Sequence, residues 1–256
     1  MKTYIKMDMY RAVTGRSFWV AVVGVCLVNF LSSLQCGFNV DVYTVQYFFT
    51  TYSLYILEFA FGSLAYANCF VEDAEHKFWY QSIQRGNIRN YTKSKVYSCF
   101  VAAVVATVFG IIIFVFLMRV RMPFFTRNNP AWKNIAEHSV CGFFANEKTI
   151  LIYFLGVALL QGLLAGILSL VSMLLSLFVK NRMFTISIPV IGFYFLTNYL
   201  GNFSTYFDLA ALYVADFPLF QSNIVSFCYD ILLAFTIAYL IGNLICMKVE
   251  REIKAK

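Results

Sequence analysis

Residues 71–95 read VEDAEHKFWYQSIQRGNIRNYTKSK, a run with eight charged side chains set between long apolar stretches. From Asp73 to Gln84 the apolar residues Ala74, Phe78, Trp79 and Ile83 recur at steps of four, one and four, which aligns them on one face of a helix. Asp73, Lys77 and Gln84 take the other face. Glu72 and Asp73 stand at the predicted N-terminus, Arg85 at the C-terminus and Gly86 just beyond, placements that favour a short helix stopping at Gly86. Asn87 then caps a second helix that runs through Arg89 and Lys95 into the next apolar stretch. The expectation is an amphipathic helix pinned to a membrane face between two spans, where something cytoplasmic can push on it.

That a membrane flanks this helix follows from composition. The 256 residues are 61% hydrophobic, 19% aromatic and only 13% charged, with a mean hydropathy of +0.71. Such a chain cannot cover itself with a hydrated surface. A hydrocarbon core of about 30 Å needs roughly 20 apolar residues per helix, and stretches that meet or approach this length lie at 17–35, 47–70, 98–118, 149–179, 184–200 and 224–246. The predicted fold class is an all-α integral membrane protein with six transmembrane helices in one domain, 1–256. The first apolar stretch follows a basic start but lacks a small-residue cleavage site, so it reads as an uncleaved span rather than a signal peptide.

With both termini in the cytoplasm, 15 of the 20 Lys and Arg residues fall on the inner side. This satisfies the positive-inside bias. The other five, Arg119, Arg121, Arg127, Lys133 and Lys148, belong to one outer loop, 119–148, and three of them sit at helix ends where they can snorkel to headgroups. Topology and anionic lipid account for the net charge of +7, and no nucleic-acid partner is needed.

The peripheral segments carry their own signals. In residues 1–16, Ile5, Met9 and Val13 repeat at four-residue spacing beside Lys6 and Arg16, which suits a helix lying in the inner interface; a disordered basic tail is the alternative. Residues 201–223, GNFSTYFDLAALYVADFPLFQSN, are apolar but interrupted by Asp208, Asp216 and Pro218. They read as an outer hairpin of two short interfacial helices, with an extended loop as the alternative. Only KNRM separates the fourth and fifth spans, which therefore form an antiparallel hairpin, and Pro189 should kink the fifth.

Inside the spans, Gly162 and Gly166 lie one helical turn apart and mark close helix packing. Glu58, near the middle of the second span, and Asp230, seven residues into the sixth, are intramembrane acids, which are expensive and usually face a partner or a wet cavity. Each is a candidate for lining or gating a pathway, or for a structural bond to a neighbouring helix. The seven cysteines show no paired CxxC spacing and read mainly as small lipid-buried hydrophobes. Cys36 and Cys141 share the predicted outer face, where a disulfide is permitted.

The stretch from Phe70 to Lys95 resembles the cytoplasmic link of type V ABC exporter permeases, the ABC type-2 family. In that family an acidic stretch, a short helix, a Gly-containing turn, Arg, Tyr and a Ser-Lys pair precede the third span. Phe70, Asp73, Arg85, Gly86, Arg89, Tyr91, Ser94 and Lys95 match these positions, whereas His76, Lys77 and Phe78 stand where many relatives have Gly. The resemblance implies an interfacial N-terminal helix, six spans, short outer helices between the fifth and sixth, and a coupling helix within 71–97. It further implies a second permease subunit, identical or related, and two copies of an ABC ATPase subunit that bind ATP and Mg. Asp73, Phe78, Trp79, Arg85 and Arg89 are the candidate ATPase-coupling residues. The chain itself has no GxxxxGK[ST] loop, so no catalytic residue, cofactor or metal is assigned to it.

Small stand-alone members of that family often move antimicrobial or toxin-like peptides, or protect against them. The expected role is peptide export or immunity at a bacterial cell membrane, with hydrophobic drugs or lipids as the alternative cargo. A membrane enzyme is disfavoured, because His76 and His138 are predicted on opposite sides of the membrane and neither HExxH nor GxSxG occurs. A channel or sensor subunit, with Glu58 lining a pore, is the rival from another class.

Overall fold

A computed structural model describes residues 2–35, 41–48, 53–75, 88–124, 126, 137, 139–179, 181–200, 205–214 and 218–254. The described residues are helical throughout their regular structure, with no strand among them. In chain order the α-helices are α1 (Lys2–Thr14), α2 (Arg16–Gln35), α3 (Val42–Phe48), α4 (Leu57–Leu64), α5 (Cys69–Glu75), α6 (Ile88–Arg119), α7 (Ile150–Ser176), α8 (Arg182–Phe195), α9 (Leu209–Tyr213) and α10 (Asn223–Lys254). Five segments are long and apolar enough to cross a membrane: Arg16–Gln35, Leu54–Asp73, Ile88–Arg119, Ile150–Ser176 and Asn223–Arg251.

The centre of the bundle is α7, which packs against α4, α6, α8 and α10. Its sequence is apolar on every side, and a helix of that kind has no face to offer water. Accordingly 72% of its span is buried inside the protein, against 17% for α10, which stands at the edge. The α6–α7 contact is close because Gly162 and Gly166 face α6: a Cβ on Gly162 would lie 3.1 Å from the Val104 carbonyl oxygen, and one on Gly166 would lie 2.7 Å from the Phe100 ring. Between apolar helices in lipid there is little hydrophobic driving force, so such backbone approach supplies the packing energy.

The second span departs from the continuous helix expected over 47–70. Ala65–Asn68 form a turn between α4 and α5, with tightened backbone bonds from Ala65 N–H to Gly62 O and from Cys69 N–H to Tyr66 O. The local cause is a run of small and polar residues, with the Ser63 hydroxyl donating back to Ala60 O at 2.8 Å, a competitor to the helical ladder. The fifth predicted span is also irregular. The chain stays helical through the buried Pro189 and passes into a π-helix over Leu196–Leu200. Its start is capped by Asn181, whose side chain accepts the Met183 N–H.

At the end of the bundle opposite α1, Asp41 caps α3 by accepting the Thr44 N–H at 2.8 Å and binds the loop after α6 through the Thr126 N–H at 3.1 Å. The N–H groups of Val42 and Tyr43 donate to Pro123 and Phe124. Within 201–223 one short α-helix, α9, is described, capped by Asp208 through the Ala211 N–H; residues 219–222 are bends, and 201–204 and 215–217 lie outside the described residues. Cys36 lies outside them as well, and Cys141 packs against Gly156.

Candidate functional site

Three segments distant in sequence meet at the end of the bundle where α1, α5 and the start of α6 come together. On α6, Tyr91, Ser94 and Lys95 share one face because they are spaced by three and four residues. On α1, Asp8 and Arg11 do the same. Asp73, near the end of α5, completes the set. Asp8, Asp73 and Lys95 are all at least 98% buried, which no soluble-facing reading of charged residues anticipates.

The geometry explains how they tolerate burial. Lys95 Nζ lies 2.7 Å from Asp73 Oδ2 and 3.8 Å from Asp8 Oδ1; at 2.7 Å the ion pair holds whatever the direction of the ammonium hydrogens. Tyr91 donates to Asp73 Oδ2 at 2.5 Å, and Arg11 contributes two contacts to Asp73 Oδ1 at 3.3 Å. Ser94 and Tyr66 donate to the two oxygens of Asp8, at 2.5 and 3.2 Å. The rings of Tyr91, Tyr66 and Phe70 surround the ammonium at 5.1, 5.7 and 5.9 Å from their centroids, where the ring quadrupole favours a cation. Two carboxylates therefore face two cations and three hydroxyls. Burial opposes the charge of the Arg11 guanidinium, yet the acidic groups it faces, Tyr66, Asp73 and Asp8, outweigh that opposition and raise its pKa.

No protein-family model, curated protein or solved structure matches this chain. Its site is therefore read from its own geometry.

The candidate coupling residues divide into three groups. Asp73 points inward as a buried anchor and is not on the outer polar face of the link, where its helical spacing had placed it. The reason is Lys95, which draws the carboxylate into the bundle. Arg89 is largely exposed and lies 3.9 Å from Glu250, joining the start of α6 to the end of α10. Phe78, Trp79 and Arg85 lie outside the described residues.

The two intramembrane acids are both fully buried. Glu58, like Asn29, Ser32, Thr107 and Gln161 elsewhere on the spans, has no solvent exposure. The Asn29 amide nitrogen donates to Val25 O at 3.0 Å within its own helix, and neither carboxylate oxygen of Glu58 has a hydrogen-bond partner among the described residues. No cation faces Glu58 in an ion pair among the described residues. Asp230 sits where α10 meets α9, with Tyr213 donating to its backbone carbonyl at 2.5 Å.

Sequence reasoning missed Asp8, Arg11 and Tyr66 as partners of this cluster. A signal was present: Asp8 is the only acid in the first sixteen residues, and it interrupts the stripe of Ile5, Met9 and Val13. The structure buries Asp8 and Ala12, leaves Ile5 and Met9 half-buried and exposes Val13. α1 is thus docked on α6 through a carboxylate rather than floated on an apolar stripe. A second ion pair, Arg182 with Glu75, ties the start of α8 to the end of α5.

Proposed function

We propose that this chain is the membrane subunit of an ATP-driven exporter of the ABC type-2 class. Two such subunits, identical or related, form the pathway across a bacterial cell membrane, both termini are cytoplasmic, and α8 with its π-helical continuation supplies a sixth crossing. A separate ATPase subunit, present in two copies, binds ATP and Mg and grips the link between α5 and α6. The cargo is an amphipathic peptide of antimicrobial or toxin-like character, exported or cleared from the membrane.

The observation that carries this reading is the Asp73–Lys95 lock with Arg11, Tyr91 and Asp8 around it. A link that merely joins two spans needs no such anchor. Here the polar segment leaves α5 just after Asp73 and returns at α6, and the buried ion pair between Asp73 and Lys95 clamps both ends to each other and to α1. A push on residues 76–87 is therefore delivered to α1, α5 and α6 together, as rigid-body rocking requires. In this mechanism Phe78 and Trp79 supply the gripping surface, since aromatics give large contact area at low entropic cost and tend to become binding hot spots. Arg85 and Arg89 flank that surface.

The test is a pull-down with an ATPase subunit followed by reconstitution. Phe78→Ala with Trp79→Ala should leave membrane insertion unchanged, weaken ATPase association by several kcal/mol, about two hot-spot losses, and uncouple ATP hydrolysis from peptide movement. Wild-type recovery of the ATPase and wild-type peptide-stimulated hydrolysis in the double variant would remove the coupling role.

A further inference from the structure

At the edge of the bundle, α6 and α10 form the walls of a groove of about 890 Å³ whose floor is α7. It runs along α6 from Lys93 to Val104 and along α10 from Cys246 to Ile231, about 22 Å at 1.5 Å per helical residue. The helices are antiparallel, so Lys93, Asn243 and Cys246 share one end. Polar side chains occur only there: Lys93 and Asn243 come first, Tyr97 and Tyr239 follow one turn further in, and the remainder is aliphatic or phenylalanine.

Lining and charge point to the occupant. The groove's walls are almost wholly aliphatic and aromatic side chains along its length, a lining that suits an extended hydrocarbon chain. Its length accommodates an acyl chain that spans the ~15 Å depth of one hydrocarbon leaflet. Charge decides the headgroup. Lys93 has no ion-pair partner among the described residues, and Arg89 and Glu250 are the other charged groups that act on Cys246 at that end. Arg89 and Glu250 pair with each other, which leaves the ammonium of Lys93 for an anion.

We infer that the groove between α6, α7 and α10 binds a phospholipid with an anionic headgroup, its acyl chain against α10 and its phosphate at Lys93. An unfilled groove would forfeit dispersion contacts along its whole floor, and juxtamembrane basic residues attract anionic lipid. The bound lipid seals α10 to the bundle, where direct contact buries so little of that helix.

The full-length chain is placed in nanodiscs of phosphatidylcholine and phosphatidylglycerol in equal parts, released, and its retained lipid identified by native mass spectrometry. Wild type should retain phosphatidylglycerol in preference to phosphatidylcholine. Lys93→Gln should lower that preference about five-fold, the value of one basic residue at an anionic surface, and Lys93→Arg should restore it. Ala238→Trp, which fills the groove, should reduce retention of both lipids, while Lys6→Gln, a basic residue on α1 away from the groove, should change nothing. The inference is overturned by equal retention of the two lipids in wild type, by an unaltered preference in Lys93→Gln, or by an equal loss in Lys6→Gln. It is also overturned if Ala238→Cys forms a disulfide between two copies, because a second chain would then occupy the groove.

Discussion

Lys95 is the residue on which most depends, because two buried carboxylates share it. Lys95→Met keeps the side-chain volume but leaves Asp73 and Asp8 without their ammonium, and removing one partner of a buried pair costs about 3–5 kcal/mol. The expected result is a sharp loss of folded, monodisperse protein and a lower melting temperature, with partial recovery when Asp73→Asn is added. Arg11 contacts the same carboxylate, but its side chain is 40% exposed and solvent screens it. Arg11→Met should therefore cost about 1 kcal/mol or less, and a loss as large as that of Lys95→Met would show that the cluster is read wrongly. Glu58 presents the opposite case. It is fully buried and makes no ion pair among the described residues, so the uncharged Glu58→Gln has no such pair to break. Thermal melts should show Glu58→Gln at or above wild-type stability, whereas a drop of several degrees would reveal a cationic partner.

At the level of helices, the α6–α7 seam and the anchoring of α1 carry different kinds of energy. The seam is a packing contact. A side chain at Gly166 would begin 2.7 Å from the Phe100 ring, so Gly166→Leu forces the two helices apart at an overpacking cost of about 1–3 kcal/mol. Gly192, whose Cβ would meet only a flexible Leu168 methyl at 3.1 Å, is the matching control: Gly192→Ala should be nearly neutral in the same denaturation assay. α1 is held on α6 by Asp8 rather than by a continuous apolar stripe, and this was only half legible in sequence. Four-residue spacing announced a helix, but periodicity cannot say that the polar residue within the stripe is the one turned inward. That depends on Ser94, Lys95 and Tyr66 being present across the interface to satisfy it.

For the whole molecule, orientation is the property that the proposed function most needs, and it is open to a direct experiment. Single cysteines at positions 87 and 252 should react with a membrane-impermeant maleimide only from the cytoplasmic side, and one at 204 only from outside, in keeping with the placement of 15 of 20 basic residues. Labelling of position 87 from outside would remove any contact between the link and a cytoplasmic ATPase. The sequence by itself determined that this is a helical chain built for a bilayer, where its long apolar runs begin and end, and that a polar link interrupts them. Those features are local, since each follows from the hydropathy and spacing of neighbouring residues. The tertiary structure alone decided which residues of the link and of α1 are buried, where the second span breaks, and which edge of the bundle stays open. Asp8, Asp73 and Lys95 are 65 and 22 residues apart along the chain, so no window of sequence contains them all. Whether a charge faces inward is settled only by the partner that a distant segment brings to it, for in a low-dielectric interior a charge is stable only where its opposite arrives with it.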